Sequence, residues 1–283
     1  MTFDPIQYKT TTRQQWEDYA QGWSDWAPLL ETWLGPVTER MLDLAQVGSG
    51  DHVLDVAAGA GGQGIAAGRR TGPEGSVLAT DLSPAILEYA SRAAKEAGLV
   101  NLSTLELDGE KLHELPEASF DAAISRLGLI YFPDRHQALS GIRHCLRDGG
   151  RFAAVTYSSA AVNGFFSVPV SIIRERAQLP APAPGQPGPF SLADPEVLEE
   201  EFARAGFGDI EVEVIDAPVL LSSAAECARF ERESFGALHQ MLGAMAPDDQ
   251  LQVWAEIESA LSEYDTPDGF VGPCQLVVAA ATR

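Results

Sequence analysis

Between residues 51 and 71 the chain passes from HVLDVA, a short apolar run, through GAGGQG to IAAGRR. The first stretch reads as a strand and the last as a helix. Gly59, Gly61 and Gly64 satisfy GxGxxG at the junction. Glycine permits a tight turn there and lets backbone N–H groups approach a ligand closely. The spacing alone is shared by binders of nicotinamide, flavin and adenosyl-sulfonium groups, and by turns that hold no ligand.

The surroundings narrow the fold. GSVLATD is a second strand, and SPAILEYASRAAKEAG a helix with Ser83 as N-cap, Pro84 at its first position and Gly98 at its end. Ile86, Ala90, Ala93 and Ala97 fall on one face of that helix. NLSTLEL, SFDAAIS and GRFAAVTY are further strands, with a helix over 134–147 between the last two. Alternating strands and helices imply right-handed parallel crossovers, hence a Rossmann-like doubly wound α/β fold with a mostly parallel sheet.

Ahead of this pattern, residues 12–46 read as Trp- and Leu-rich helices broken at Pro28 and at Gly35-Pro36. After it, PAPAPGQPGPF at 180–190 is too rich in Pro and Gly for regular structure. DPEVLEEEFARAGF reads as a helix, IEVEVIDAPV as a strand, 222–264 as helical, and QLVVAAAT as a closing strand. The expected organisation is an N-terminal helical lid over 1–46 and a core over 47–283. Helical cap insertions interrupt that core at about 160–190 and 222–264.

Two acids flank the glycines. Asp81 ends the second strand, where a carboxylate can accept both hydroxyls of a ribose. That position suits a dinucleotide as well as an adenosyl sulfonium. Asp55 lies in the first strand, four residues before Gly59. A pyrophosphate gains nothing from an acid beneath its loop, whereas a ligand carrying an ammonium and a sulfonium does.

VLDVAAGAGG resembles the first motif of class I S-adenosylmethionine-dependent methyltransferases, usually VLDxGxGxG, with Ala57 in place of one glycine. ATDLSPAILEYA is similar to the second motif, which implies that Asp81 and Leu82 meet the cofactor. LELDGEKL resembles the third, implying that Asp108 and the Gly109 backbone meet the adenine edge. SFDAAISRLGLIYF resembles the fourth, and LRDGGRFAAVTY the turn before strand five, with Asp148 for its usual proline. The ubiquinone/menaquinone C-methyltransferase-like group, methyltransferase type 11, has the most similar pattern. The resemblance covers residues 52–157 and implies S-adenosylmethionine as cofactor.

Other candidates come from position and chemistry. Arg126 follows the fourth strand, where parallel sheets present ligands, and suits a carboxylate of the cofactor or acceptor. Tyr19 and Trp23 offer aromatic faces to a sulfonium. His136 and Tyr157 are the candidate general bases, with His239 behind them. A base is needed only if the acceptor must lose a proton, because methyl transfer depends mainly on alignment and exclusion of water.

Charge bears on the acceptor. Asp and Glu number 41 against 19 Lys and Arg, a net of −22, which repels phosphate backbones and anionic bilayers. No uninterrupted apolar run is long enough for a membrane span, and the N-terminus lacks a signal pattern, so a cytoplasmic protein is expected. Cysteine and histidine spacing fits no metal site. The expected partner is a small, largely apolar acceptor methylated on carbon or oxygen, with no nucleic acid; a homo-oligomer stays open. Two alternatives remain: a protein that keeps the cofactor for a non-methylating reaction such as cyclisation, and an NAD(P)-dependent oxidoreductase.

Overall fold

The computed structural model describes residues 3–182 and 185–283; residues 183 and 184, inside the predicted irregular stretch, lie outside the described residues, as do 1 and 2. The helices are α1 (Pro5–Asp18), α2 (Ala20–Asp25), α3 (Ala27–Leu44), α4 (Gly62–Thr71), α5 (Pro84–Glu96), α6 (Arg135–Cys145), α7 (Gly164–Arg176), α8 (Pro195–Arg204), α9 (Ala224–Ser234), α10 (Gly236–Leu242) and α11 (Pro247–Leu261). The strands are β1 (His52–Val56), β2 (Ser76–Asp81), β3 (Leu102–Glu106), β4 (Phe120–Arg126), β5 (Leu146–Tyr157), β6 (Gly208–Asp216), β7 (Val219–Leu221), β8 (Asp265–Thr266), β9 (Gly269–Gly272) and β10 (Gln275–Thr282).

One sheet has the order β3-β2-β1-β4-β5-β10-β6. Its first five strands pair in parallel, and β10 runs antiparallel to both β5 and β6. The expected doubly wound, mostly parallel architecture is what the chain adopts. Because β1 is followed in space by β2 on one side and β4 on the other, the connections diverge above their carboxyl ends. That divergence opens the crevice in which such sheets bind ligands.

Three local expectations are corrected. Gly35-Pro36 does not interrupt α3, which runs unbroken from Ala27 to Leu44. Pro36 and Thr32, whose carbonyl loses its helical partner, are exposed, so water can serve that carbonyl. Trp33, Leu34, Val37 and Met41 are buried on the opposite side. Burying four such side chains contributes roughly 6–12 kcal/mol, against about 3 kcal/mol for an interior proline. The break expected at Pro28 is present: α2 ends at Asp25, and α3 begins at Ala27 with Pro28 in its first turn.

IEVEVIDAPV is not one strand. β6 ends at Asp216, and β7 joins β9 and β8 in a separate small sheet with no counterpart in the expected elements. Pro218 cannot donate to a ladder, and it stands where the chain leaves one sheet for the other. On α5 the buried face is Ile86, Leu87, Ala90 and Ala94, so Ala97 points outward. The cap of that helix is as expected, with the Ser83 hydroxyl accepting from the Ile86 N–H at 3.3 Å.

Candidate cofactor and acceptor site

A cavity of about 430 Å3 lies over the carboxyl ends of β1, β2, β4 and β5. The glycine turn forms its floor. Gly59 has φ 57° and lines the cavity; Gly61, with φ 89°, does not, because its α-carbon backs onto Ala90 of α5. Gly64 faces inward rather than toward a ligand. A Cβ there would stand 2.8 Å from Asp55 Oδ2, so the third glycine makes room for the buried acid.

Ala57 occupies the place of the missing glycine and has φ 57°. A side chain in that region costs about 1–2 kcal/mol, so the turn imposes its conformation against local preference. Gly128 accommodates the methyl group: a Cβ at Gly128 would be 2.6 Å from that of Ala57. Leu127, between Arg126 and Gly128, is also left-handed at φ 61° and lines the cavity. Strained backbone thus borders the cavity at the tips of both β1 and β4.

Asp81 lines the cavity at the tip of β2. Its Oδ2 accepts from the Gly59 N–H and its Oδ1 from the Ser83 N–H, each at 3.0 Å. Burial pushes its carboxyl above the ordinary range, and these N–H groups oppose the shift. Each oxygen keeps a further lone pair, so the carboxylate can still accept a pair of hydroxyls. Leu82 lies beside it in the wall.

Asp55 does not line the cavity. It is wholly buried beneath the turn, where Oδ1 accepts from Gln63 Nε2 at 3.1 Å. Oδ2 has no hydrogen-bond partner among the described residues. Burial raises its pKa to about 7, with Gln63 and Arg126 acting in the other direction. Gln63, which the sequence reading missed, reaches the cavity and joins the hidden carboxylate to it.

Arg126 is sunk into the wall against Gly62, where a Cβ would lie 3.2 Å from its Nη2. Its Nη1 donates to Thr38 Oγ1 at 2.7 Å. No carboxylate of the described residues stands within 4 Å of it. Burial lowers its pKa to about 10, partly offset by Asp55, so it stays cationic at neutral pH. A desolvated guanidinium without a close counter-ion is costly, and an anion delivered to it is correspondingly favoured.

Asp108 and Gly109 reach the cavity at the end of β3. Gly109 fits closely under Phe132, whose Cζ would be 2.5 Å from an added Cβ. Asp108 Oδ2 accepts from Lys9 Nζ at 2.7 Å, and Glu110 receives the same ammonium. Lys9 belongs to α1, so the N-terminal helix is fastened across this edge. Arg13 adds an ion pair to Glu106 at 2.8 Å. Burial of the Lys9 ammonium and its two carboxylate partners oppose one another, and the net direction is upward.

The remaining wall is apolar. Trp23 lines it, as expected, and packs on Phe235 at 5.5 Å and on Trp16 at 5.4 Å between ring centres. Tyr157 also lines it, and burial drives its phenol well above the usual value, which makes it a hydrogen-bond donor rather than a base. The structure does not bring Tyr19 or His136 to the cavity. Tyr19 stacks on His239 at 4.7 Å, joining the α1–α2 elbow to α10, and His136 is exposed in the first turn of α6. His239 is likewise outside, its ring nitrogen at the Arg232 carbonyl. The wall residues Lys9, Trp16 and Thr38, on helices, and Phe235, between α9 and α10, lay outside the recognised motifs, and no spacing pointed to them.

A glycine turn, a β2-tip carboxylate and a half-buried arginine stand together at the strand-switch crevice of a Rossmann-like domain. Residues 53–150 match the family model described as a methyltransferase domain. An aklanonic acid methyltransferase from Streptomyces sp. strain C5 is 33% identical over 118 residues, 42% of this chain and 53% of that protein. A demethylmenaquinone methyltransferase from Listeria welshimeri is 32% identical over 130 residues, 46% of this chain and 55% of that protein. The chain therefore spans about half the length of each of these relatives. In fold it is similar to the YcgJ protein of Bacillus subtilis, with TM-score 0.59 and 17% identity over 88% of this chain and 98% of that one. No helix among the described residues is long and apolar enough to cross a membrane.

Proposed function

We propose that this protein transfers a methyl group from S-adenosylmethionine to carbon or oxygen of a small, largely apolar metabolite. The observation that carries the reading is the charge pattern around the glycine turn. A buried acid with an unpartnered oxygen lies below the turn, and a half-buried cation with no carboxylate of the described residues within 4 Å lies beside it. A ligand with an α-carboxylate for Arg126 and cationic ammonium and sulfonium groups above Asp55 suits both charges, whereas a pyrophosphate would pair with Arg126 but set negative charge over the buried acid.

In this reading Asp81 accepts the ribose hydroxyls, Asp108 and the Gly109 backbone meet the adenine edge, and Leu82 and Leu107 cover the base. Arg126 takes the carboxylate. Asp55, through Gln63, offsets the positive charge above it. The bound cofactor supplies an electrophilic methyl on sulfur with a good leaving group. The chain's own work is alignment and removal of water. Leu30, Leu34, Leu127 and Phe235 provide dry walls, and Trp23 presents an aromatic face to positive charge. Tyr157 orients an acceptor oxygen by donating to it. Nucleic acid is a poor acceptor for a chain of net charge −22.

The test is release of S-adenosylhomocysteine from S-adenosylmethionine when aromatic polyketides, quinols and isoprenoid alcohols are supplied. Acceptor-dependent release at least tenfold above background, lost in Arg126→Ala, is the expected outcome. Release that ignores the acceptor, or conversion of an acceptor with the methyl count unchanged, would replace methyl transfer by the cyclase-type alternative.

A further inference from the structure

β4 ends at Arg126, and the chain passes through the left-handed Leu127 into the 3-10 turn Leu129–Tyr131. Leu129 and Ile130 are buried, and the Ile130 carbonyl accepts from the Gly188 N–H at 2.9 Å, which leaves Tyr131 to face the cavity. Tyr157 ends the neighbouring strand β5, whose Val155 pairs with Arg126, and lines the same cavity. Aromatic rings connect the two tyrosines. Successive ring centres from Tyr131 to Trp16, Trp23, Phe235, Phe166 and Tyr157 lie 5.8, 5.4, 5.5, 4.8 and 5.8 Å apart. All of these but Phe166 line the cavity, so the rings form an arc along its wall with a tyrosine at each end. Within the arc only Trp23 has a part in holding the cofactor.

The two phenols are open to the cavity. Neither hydroxyl has a hydrogen-bond partner among the described residues, and unlike Trp23 Nε1 neither is closed to water. Tyr157 is 2% exposed, with its ring packed on Phe165, Phe166 and Phe190, so the part left open is its hydroxyl. Tyr131 stands edge-on to Trp16, at 87° between ring planes. Burial raises both phenols, which therefore stay protonated and donate at neutral pH. Tyr131 is near enough to act on the Tyr157 phenol, as Tyr157 is on the Arg126 guanidinium. Phenylalanine would fill the same space at either position and leave no polar atom to satisfy. A hydroxyl open to a largely apolar cavity is provision for a ligand oxygen.

We infer that Tyr131 is a specificity-determining residue, whose hydroxyl joins that of Tyr157 in donating to a hydroxyl or carbonyl oxygen on a planar aromatic acceptor. This rests on the methyltransferase reading for the role of the cavity, and it adds that the acceptor is a flat ring with its oxygen toward β4 and β5. Ring faces along the arc suit a flat, apolar body. A site built to bond an oxygen rejects the analogue that lacks it, since the donors are then left unmet.

Equilibrium dialysis of the ligand-free protein against 1-naphthol and against naphthalene tests it. The wild type should hold 1-naphthol at least about tenfold more tightly. Tyr131→Phe should cut that preference to about threefold or less, while its affinity for naphthalene stays within about twofold of the wild type. Its melting point should stay within about 2 °C, because the lost hydroxyl has no partner in the protein. The double variant Tyr131→Phe, Tyr157→Phe should show no preference. Saturating S-adenosylhomocysteine, which takes the glycine-turn half of the cavity, should leave the affinity for 1-naphthol undiminished. A wild type without the preference, an undiminished preference in Tyr131→Phe, an equal loss of both ligands, or displacement of 1-naphthol by S-adenosylhomocysteine would each overturn the inference. So would a Tyr131→Phe protein that melts several degrees lower, since the hydroxyl would then serve the fold. A wild type that ignores S-adenosylhomocysteine would instead sink the cofactor reading, while dialysis of the ligand-free protein would still judge Tyr131.

Discussion

At Asp81 a carboxylate already holds two backbone N–H groups and still faces the cavity. Two charge-assisted hydrogen bonds to a ribose are worth about 1.5–3 kcal/mol each, so Asp81→Ala should weaken S-adenosylhomocysteine binding by two orders of magnitude or more. Calorimetry checks this, and a loss below threefold would remove the residue from the site. Asp55 adds a pH signature. Its folded pKa of about 7 stands above the ordinary 3.8, so the folded state favours the protonated form. Stability from this group is complete below pH 4 and is lost as pH rises through 7. Between pH 6 and 8 the ligand-free wild type should lose about 1.4 kcal/mol that Asp55→Asn retains, seen in paired urea melts. A residue-level oddity has its own test. Ala57→Gly relaxes a left-handed position and should leave the melting point unchanged or raised, whereas Gly128→Ala presses on the Ala57 methyl and should lower it. The sequence made the place of Asp81 legible because a strand end fixes where its side chain goes, whereas Asp55, expected at the ligand, lies beneath the turn. It could not show that Gly64 serves Asp55, since that contact spans a strand and a helix.

Among the elements, the N-terminal segment divides into parts that composition had merged. α3 is structural, with Leu30, Trp33, Leu34, Val37, Met41 and Leu42 in the core. α1 buries little beyond Thr12 and is held by Lys9 and Arg13 to Glu106, Asp108 and Glu110 at the cavity edge. Only α1 and α2 therefore fit the lid role. Deleting residues 1–18 should leave a folded protein with at least tenfold faster S-adenosylhomocysteine dissociation by stopped flow. Deleting 1–34 removes core residues and should cause aggregation. Lys9→Gln alone should speed dissociation and reduce its dependence on salt; an unchanged rate in both the Lys9→Gln and the 1–18 deletion proteins would dismiss the lid. The helices of the cap were readable from composition, but their contacts were not. Phe235, Trp23 and Tyr157 meet from α9–α10, α2 and β5, and long-range packing of that kind leaves no periodic trace in the chain.

For the whole molecule, the parallel half of the sheet was legible because each strand, turn and helix within residues 52–157 announces itself locally. The antiparallel β10–β6 edge and the small β7-β9-β8 sheet were less so, as their partners lie far apart in sequence. The same division runs through function: the cofactor half rests on local motifs, the acceptor half on packing. Strong negative charge and an apolar cavity together predict that RNA and DNA neither compete with nor replace the small acceptor, which a turnover assay with added total RNA would check. An adenosyl amino acid, rather than a dinucleotide, is the ligand proposed for the strand-switch crevice. Thermal melting with S-adenosylhomocysteine, NAD and NADP, on wild type and Asp81→Ala side by side, tests it most directly. The expected result is stabilisation by S-adenosylhomocysteine alone, about 3 kcal/mol at a hundredfold excess over its dissociation constant, and its disappearance in Asp81→Ala. Stabilisation by NAD or NADP, with none by S-adenosylhomocysteine, would contradict it.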